Sequence, residues 1–253
     1  AEISGRAHRR AMQATGPGRF EYEIEAELLH EFRRSGSQYP AYTSIVAGGA
    51  NACVLHYIGN DCMLNDGDLL LIDAGCELNS YASDITRAFP VNGKFSGAQK
   101  DAYELVLAAQ QASFDKAVPG QPYDAMHEAA VRVLAQGMLD LGLLQGTRDG
   151  IIESGDYKRF YMHRTGHWLG LDVHDAGDYK INDAWRPLEA GMVVTVEPGI
   201  YIRPADDIPK AFWNIGIRIE DDVLITADGH DILSASTPKT VAEIEACMAE
   251  GSA

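Results

Sequence analysis

The chain has no long apolar run. Its apolar stretches, such as residues 69–72 and 192–196, fall far short of the ~20 residues that a helix needs to span a bilayer, so we expect no membrane segment. The first residues, from Ala1 onward, have neither the basic nor the apolar region of a secretory leader. An initiator Met is also absent, which leaves a processed, trimmed or partial chain open.

Basic residues and cysteines are scarce. Lys and Arg number 21 against 37 Asp and Glu, a formal net charge of −16, and such a chain should repel nucleic acid and anionic membrane surfaces. The four cysteines (Cys53, Cys62, Cys76 and Cys247) form no C-x-x-C pair, which argues against a zinc knuckle or a redox motif. Without a visible secretion signal, we expect reduced thiols and a cytoplasmic protein.

Several catalytic motifs are missing. The sequence has no G-x-S-x-G nucleophile elbow and no G-x-x-x-x-G-K-[ST] phosphate loop, and no cysteine stands in a recognisable catalytic setting. These absences argue against a serine or cysteine nucleophile and against phosphate binding by such a loop.

What is present is a globular pattern, with 253 residues of which 46% are hydrophobic. The length suits one domain, and two similar halves within it stay open. Periodicity and turn residues predict helices at 3–14, 21–34, 97–117, 123–141 and 240–250, strands at 43–47, 69–73 and 85–90, and strands or loops at 160–162, 192–196, 217–220 and 223–226. Segregated helices and strands of this kind predict an α+β fold.

Two segments echo each other. Residues 67–75 (GDLLLIDAG) and 191–199 (GMVVTVEPG) each have a Gly, an apolar strand, an acid and a second Gly. An apolar strand followed by a turn is a common pattern, so the echo alone is weak. If the two copies face each other, Asp73 and Glu197 come together.

Four acids follow or interrupt apolar strands: Asp73, Asp84, Glu197 and Glu220. A carboxylate in such a position is half buried and needs a cation or strong hydrogen bonds. For any one of them, a salt bridge or a turn cap is a sufficient explanation. Four inward carboxylates repel one another, however, and a pair of divalent metal ions is the simplest compensation.

Three histidines, His163, His167 and His174, fall within twelve residues. The spacing of the first two is that of a zinc-peptidase helix, but Arg164 stands where H-E-x-x-H needs Glu, and Gly166 disfavours a helix. A single histidine would more often be a hydrogen-bonded core residue. One imidazole with four carboxylates instead favours Mn, Fe(II), Co or Zn ions paired ~3.5–4 Å apart, an arrangement suited to hydrolysis.

Over essentially its whole length the chain resembles the pita-bread metallopeptidases, which include aminopeptidase P, prolidase and methionine aminopeptidase. The five metal-ligand positions of the family match Asp73 in LIDAG, Asp84 in SDITR, His167 in GHWLG, Glu197 in VEPG and Glu220 in RIEDD. The strings VLHY (54–57), HWLGLDVHD (167–175) and NIGIRIEDD (214–222) look most like the catalytic domain of aminopeptidase P. Prolidase is the second candidate, methionine aminopeptidase fits less well, and creatinase, which lacks the metal set, fits poorly.

The resemblance implies a pita-bread fold with pseudo-two-fold halves around a curved antiparallel sheet. It implies two divalent ions, Mn(II) or else Co(II), Zn(II) or Fe(II), which share a hydroxide that attacks the carbonyl before proline in an Xaa-Pro-Yaa peptide. Glu197 would shuttle the proton as well as bind metal, and His163 and His174 would stabilise the oxyanion or line the proline side. His56, Arg218 and Tyr201 would contact substrate.

Some features depart from the family pattern. Aminopeptidases P carry an N-terminal domain that shapes the site and builds the oligomer, whereas residues 1–253 here correspond to the catalytic domain alone. A homo-oligomer and pairing with a separate N-terminal fragment both stay open. Arg164 replaces a Gly of the family and is expected to change the pocket wall. A non-catalytic binding module of this fold is the alternative of another class, but such modules lose ligands and this chain keeps all five.

Overall fold

The structure, a computed structural model, describes residues 1–251. The helices are α1 (Glu2–Ala14), α2 (Glu21–Arg34), α3 (Gly97–Phe114), α4 (Asp124–Asp140), α5 (Arg148–Ser154) and α6 (Val241–Gly251). The strands are β1 (Tyr39–Pro40), β2 (Ile45–Gly48), β3 (Leu69–Asp73), β4 (Cys76–Leu78), β5 (Tyr81–Ala82), β6 (Thr86–Pro90), β7 (Lys180–Ile181), β8 (Ala184–Trp185), β9 (Val193–Val196), β10 (Gly199–Ile202), β11 (Ile215–Arg218), β12 (Asp221–Ile225) and β13 (His230–Ile232). No helix among these residues is long and apolar enough to cross a bilayer.

Most predicted elements form within a few residues of their expected ends. The largest shortening is in α3, which stops at Phe114 rather than at residue 117. Ser96 caps α3 by accepting a hydrogen bond from the backbone N–H of Gln99. Residues 160–162 are loop, and β11 begins and ends two residues before the predicted strand at 217–220.

Two three-stranded antiparallel sheets form the frame of the molecule. One has the order β2-β3-β6 and the other β13-β12-β9, with β3 and β12 central. A single antiparallel bridge between Thr86 and Glu220 joins β6 to the residue before β12. The hairpin β10-β11 packs beside this junction, with β11 against both β3 and β6. The α+β pita-bread prediction is confirmed in this arrangement.

The sequence echo corresponds to a structural one. Gly67 and Gly191 both adopt left-handed backbone, with φ of 88° and 95°, two residues before β3 and β9 begin. Glycine enters this region without a steric penalty. Each strand then runs apolar to its acid, so Asp73 ends β3 and Glu197 directly follows β9. The two halves thereby deliver equivalent carboxylates to the centre of the molecule.

Helix pairs cover the sheets and close the core. Helix α1 packs on α2, and α3 packs on α4, while α3 also contacts β9, β10 and β11. All five residues of β3 are buried, as a continuous apolar run predicts for a strand covered on both faces. The acids at the strand ends therefore sit at the edge of a dry core, where an isolated charge is costly.

A buried arginine fastens the two halves at their junction. Arg87 of β6 is fully buried and forms an ion pair with Asp221 of β12, with Nη2 2.8 Å from Oδ1. Its Nη1 donates to the carbonyl of Glu220 at 2.7 Å, and its Nε donates to the carbonyl of Pro238 at 2.9 Å. These contacts fix the backbone on which Glu220 is carried.

Candidate metal centre and its pocket

A cavity of about 590 Å³ opens where the two halves meet. Its lining comprises Leu55, His56, Asp73, Asp84, Tyr123, His163, Arg164, Gly166, His167, His174, Tyr179, Trp185, Glu197, Arg218 and Glu220. All five residues predicted to bind metal are in this set, although they lie as much as 147 residues apart in sequence. The lining combines carboxylate and imidazole groups with aromatic side chains.

Close backbone approaches deliver the predicted ligands to this cavity. A Cβ on Gly75 would lie 1.7 Å from the carbonyl oxygen of Ser83, so only glycine allows the chain after Asp73 to pass so near Asp84. A Cβ on Gly166 would lie 2.1 Å from the carbonyl oxygen of Thr195. The loop that carries His167 can therefore lie directly against β9. His163 and His167 stand on loop, not helix, as the sequence predicted.

The candidate ligands are in mutual contact. The Nε2 of His167 is 3.3 Å from a carboxylate oxygen of Asp84 and 3.7 Å from one of Glu197. One ligand atom each from Asp84, His167 and Glu220 all lie within 4.8 Å of one another. The Nδ1 of His167 is 3.0 Å from the carbonyl of Trp168. Donation from Nδ1–H to that carbonyl leaves Nε2 facing the carboxylates, the tautomer that a metal ligand needs.

The electrostatics show how heavily the cluster is loaded with negative charge. Burial, together with the charges of Asp84 and Glu197, raises the pKa of Glu220 well above its usual range. Burial and neighbouring carboxylates likewise raise the pKa of Glu197 to about 7. Burial alone would lower the pKa of His167, but its contacts with Asp84 and Glu197 raise it to about 9. The cluster therefore favours any added positive charge, whether protons or cations, and its hard oxygen donors suit a divalent ion.

Two hydroxyl groups support the carboxylates, and the sequence did not single them out. Tyr42 lies with its hydroxyl 2.6 Å from Asp73 and 2.5 Å from Asp84. Thr86 donates its hydroxyl to Glu220 at 2.5 Å. Thr86 could have been found from its place two residues after Asp84, since alternate residues of an extended segment share a face. Nothing near Tyr42 in the sequence marks it.

The predicted substrate residues divide into two groups by position. His56 and His174 are exposed at the cavity, and the His174 ring lies edge-on to His167 with centroids 4.4 Å apart. Arg218 is buried, and its guanidinium donates to Asp73 at 2.6 Å and to Tyr201 at 2.9 Å. Tyr201 itself lies behind the cavity wall rather than on it, with 1% of its surface exposed.

His163 belongs to a directed chain of hydrogen bonds. Arg218 donates to the Tyr201 hydroxyl, which lies 2.8 Å from His163 Nε2, and His163 Nδ1 lies 2.7 Å from the carbonyl of Arg164. Because that carbonyl can only accept, Nδ1 carries the proton and Tyr201 donates to Nε2. Burial and the Arg218 charge lower the pKa of His163 to about 3. The ring is thus neutral and held in one orientation.

Similar proteins were found by sequence and by structure. Residues 1–227 match Metallopeptidase family M24. The Xaa-Pro aminopeptidase of Haemophilus influenzae is 55% identical over 247 residues, which cover 98% of this chain and 57% of that protein.

Two solved structures extend the likeness to the fold. The aminopeptidase PepP of Pseudomonas aeruginosa superposes with a TM-score of 0.98 at 57% identity, covering 99% of this chain and 57% of that one. An alanine variant of Escherichia coli aminopeptidase P in complex with substrate gives 0.96 at 48% identity, with coverage of 99% and 57%. The chain therefore spans a little over half the length of the relatives it matches. With 227 of its 253 residues matched, the chain belongs to metallopeptidase family M24.

Proposed function

We propose that this protein hydrolyses the peptide bond between an N-terminal residue and a following proline, in Xaa-Pro-Yaa peptides. The observation that carries the proposal is the convergence of four carboxylates and His167, from both halves of the fold, on one cavity large enough for a short peptide. The names of the related proteins favour this reaction over that of a prolidase. Residues 1–253 would be the catalytic part of the enzyme.

Two divalent ions would be held by Asp73, Asp84, His167, Glu197 and Glu220. Mn(II) is the preferred metal, and Co(II), Zn(II) and Fe(II) are the alternatives. A pair of such ions lowers the pKa of a water so that it can act as a nucleophile near neutral pH. The donor set fits this pair, because four acids crowd the cavity wall and, in the part of the chain that the structure describes, two cationic side chains, His167 and Arg218, pair with them. His167 must lose its proton when metal binds, so metal affinity should fall in acid.

Glu197 would move the proton. Its carboxylate lies in the cavity, with one oxygen 3.7 Å from His167 Nε2, where it could take a proton from the attacking water and return it to the leaving nitrogen. Its Oε2 lies 3.8 Å from His163. Because both nitrogens of His163 are engaged, its ring would line the proline side rather than donate to an oxyanion. His174, with its ring exposed in the cavity, would be the oxyanion donor.

Arg218 and Tyr201 would act mainly by holding other residues of the site in place. Arg218 holds the carboxylate of Asp73, and through Tyr201 it fixes the ring of His163. Only the outer edge of Arg218 faces the cavity, where it can contact substrate. His56, exposed at the mouth, would contact the peptide directly. A homo-oligomer or a separate N-terminal fragment would complete the mouth, and the cytoplasmic location stays a prediction.

The test is hydrolysis of Ala-Pro-Ala beside the dipeptide Ala-Pro, with Mn(II) supplied. Cleavage of the tripeptide, with poor or no cleavage of the dipeptide, is the expected result. Rapid cleavage of the dipeptide alone would make the protein a prolidase. Metal binding without hydrolysis of either peptide would favour the binding-module alternative.

A further inference from the structure

One part of the cavity wall is aromatic and ends in a cation. Tyr123, Tyr179 and Trp185 line it, with the Tyr123 ring centroid 4.9 Å from that of Tyr179 and 6.2 Å from that of Trp185. Tyr123 is buried, Tyr179 and Trp185 are half-buried, and Arg164 is exposed. The wall therefore runs from a deep apolar end to a charged rim.

Arg164 is held in place at this rim on two sides. Its guanidinium carbon lies 4.8 Å from the centre of the Trp185 ring, a cation–π contact. Its Nη2 pairs with Asp124, the first residue of α4. An arginine guanidinium has five N–H donors in a fixed fork, so these contacts leave donors free toward the cavity. Nearly half of the side chain, 47%, is exposed.

The charges around Trp185 do not cancel. Lys180 lies over the same ring, with Nζ 4.5 Å from its centre, and Asp124 is the carboxylate that pairs with Arg164. Lys180 does not line the cavity, whereas Arg164 does. The rim therefore presents the Arg164 cation to a bound ligand.

The geometry of a peptide relates its first residue to this wall. In a bound peptide the scissile carbonyl must reach the candidate metal centre, and the terminal amine, two bonds from the carbonyl carbon, must lie beside it. The first side chain branches between them, so it would extend into the part of the cavity that Tyr123, Trp185 and Arg164 also line. A long side chain against Trp185 would have its end group near Arg164, which lies over that ring.

We propose that Arg164 is a specificity-determining residue, which favours substrates whose first side chain is long and ends in a carboxylate, as in Glu-Pro-Yaa. This inference rests on the proposed aminopeptidase activity. A charge-assisted hydrogen bond from a pre-positioned guanidinium is stronger than one between neutral groups. Partial exposure of the rim limits the gain, because water and salt screen the pair.

The experiment compares Glu-Pro-Ala with Gln-Pro-Ala, which differ in charge and hardly in shape. We expect kcat/KM to be higher for Glu-Pro-Ala in the parent, and the ratio of the two values to fall about three- to tenfold in Arg164→Gln. The parent ratio should also shrink as ionic strength rises. Lys180→Gln removes an equal charge from the same ring outside the cavity, and it should change the ratio less than twofold.

A second readout separates this inference from the proposed function. The dissociation constants of the same two peptides can be measured by calorimetry on Mn(II)-loaded protein carrying His174→Ala, with and without Arg164→Gln. If neither peptide is hydrolysed by the parent, the proposed function fails, and the binding ratio alone decides the role of Arg164. Ratios that Arg164→Gln leaves unchanged in both assays, or that Lys180→Gln lowers equally, would overturn the inference.

Discussion

Replacing Arg87 by Met should destabilise the protein more than almost any other single change near the site. Arg87 and Asp221 are both fully buried, and their ion pair has an N–O distance of 2.8 Å. The guanidinium also donates to the carbonyls of Thr86, Glu220 and Pro238 at 3.0, 2.7 and 2.9 Å. Met fills a similar volume but supplies none of these donors.

The expected loss of stability follows from the charge of Asp221, which stays buried when Arg87 is removed. Breaking a buried ion pair by removing one partner costs about 3–5 kcal/mol, because the other charge stays buried. Lys239 and Ser234 still contact the Asp221 carboxylate, at 2.8 and 2.6 Å, which limits the loss to about the lower half of that range. For a chain of this size, each kcal/mol corresponds to about 2–4 °C in Tm. We therefore expect a decrease of ~6–16 °C.

The assay is denaturant unfolding of chelated protein, so that metal binding does not add to the measured free energy. Arg148→Met is the control, because Arg148 is exposed and pairs with its sequence neighbour Asp149, and it should change the free energy of unfolding by less than ~0.5 kcal/mol. Adding Asp221→Asn to Arg87→Met should cost less than the sum of the two single changes. A loss below ~1 kcal/mol for Arg87→Met would refute the assigned role of the buried pair.

Three further predictions concern the site and pH. His174→Ala should keep its metal and its Tm but lose about 10²–10³ in kcat, as steady-state kinetics and metal analysis would show; early melting with a parental rate in the folded fraction would contradict this. Mn(II) should raise the Tm of chelated protein, because cations relieve repulsion among the buried acids, and an unchanged melting curve across a titration would count against it. Burial lowers the pKa of His8 to about 4, so the unfolded chain takes up the proton first as pH falls. Unfolding measured across pH should show that neutral His8 contributes about 3 kcal/mol to the free energy of unfolding. This contribution is fully present above pH ~6.5 and lost toward pH ~4, and His8→Gln should remove it.

The sequence predicted which residues line the cavity better than it predicted the contacts that hold them. An acid at the end of an apolar strand is a local signal, and the echo of Asp73 with Glu197 pointed to two halves facing one centre. The structure also contains the left-handed glycines that begin the two copies, Gly67 and Gly191. Such features depend on neighbouring residues alone, so they can be found without the fold.

The supporting contacts could not be found in this way. The Tyr42 hydroxyl reaches acids 31 and 42 residues away, and Arg87 reaches Pro238 across 151 residues. Tyr201 was expected to contact substrate, but only the folded chain reveals that it stands behind His163 and Arg218. The packing of strands and helices brings such distant residues together. A single sequence has no local pattern that predicts these contacts.

The most direct test of the central claim is to titrate Mn(II) into chelated protein while bound metal and Ala-Pro-Ala hydrolysis are recorded at each addition. The account predicts that binding saturates at two ions per chain and that hydrolysis rises as the ions bind. In Glu220→Gln the neutral amide is a weaker metal ligand than the carboxylate. The binding curve and the hydrolysis curve should therefore both shift to higher Mn(II) concentration. Full hydrolysis before any ion has bound, or a protein that binds no ion at any Mn(II) concentration, would contradict the assignment of these five residues as a metal centre.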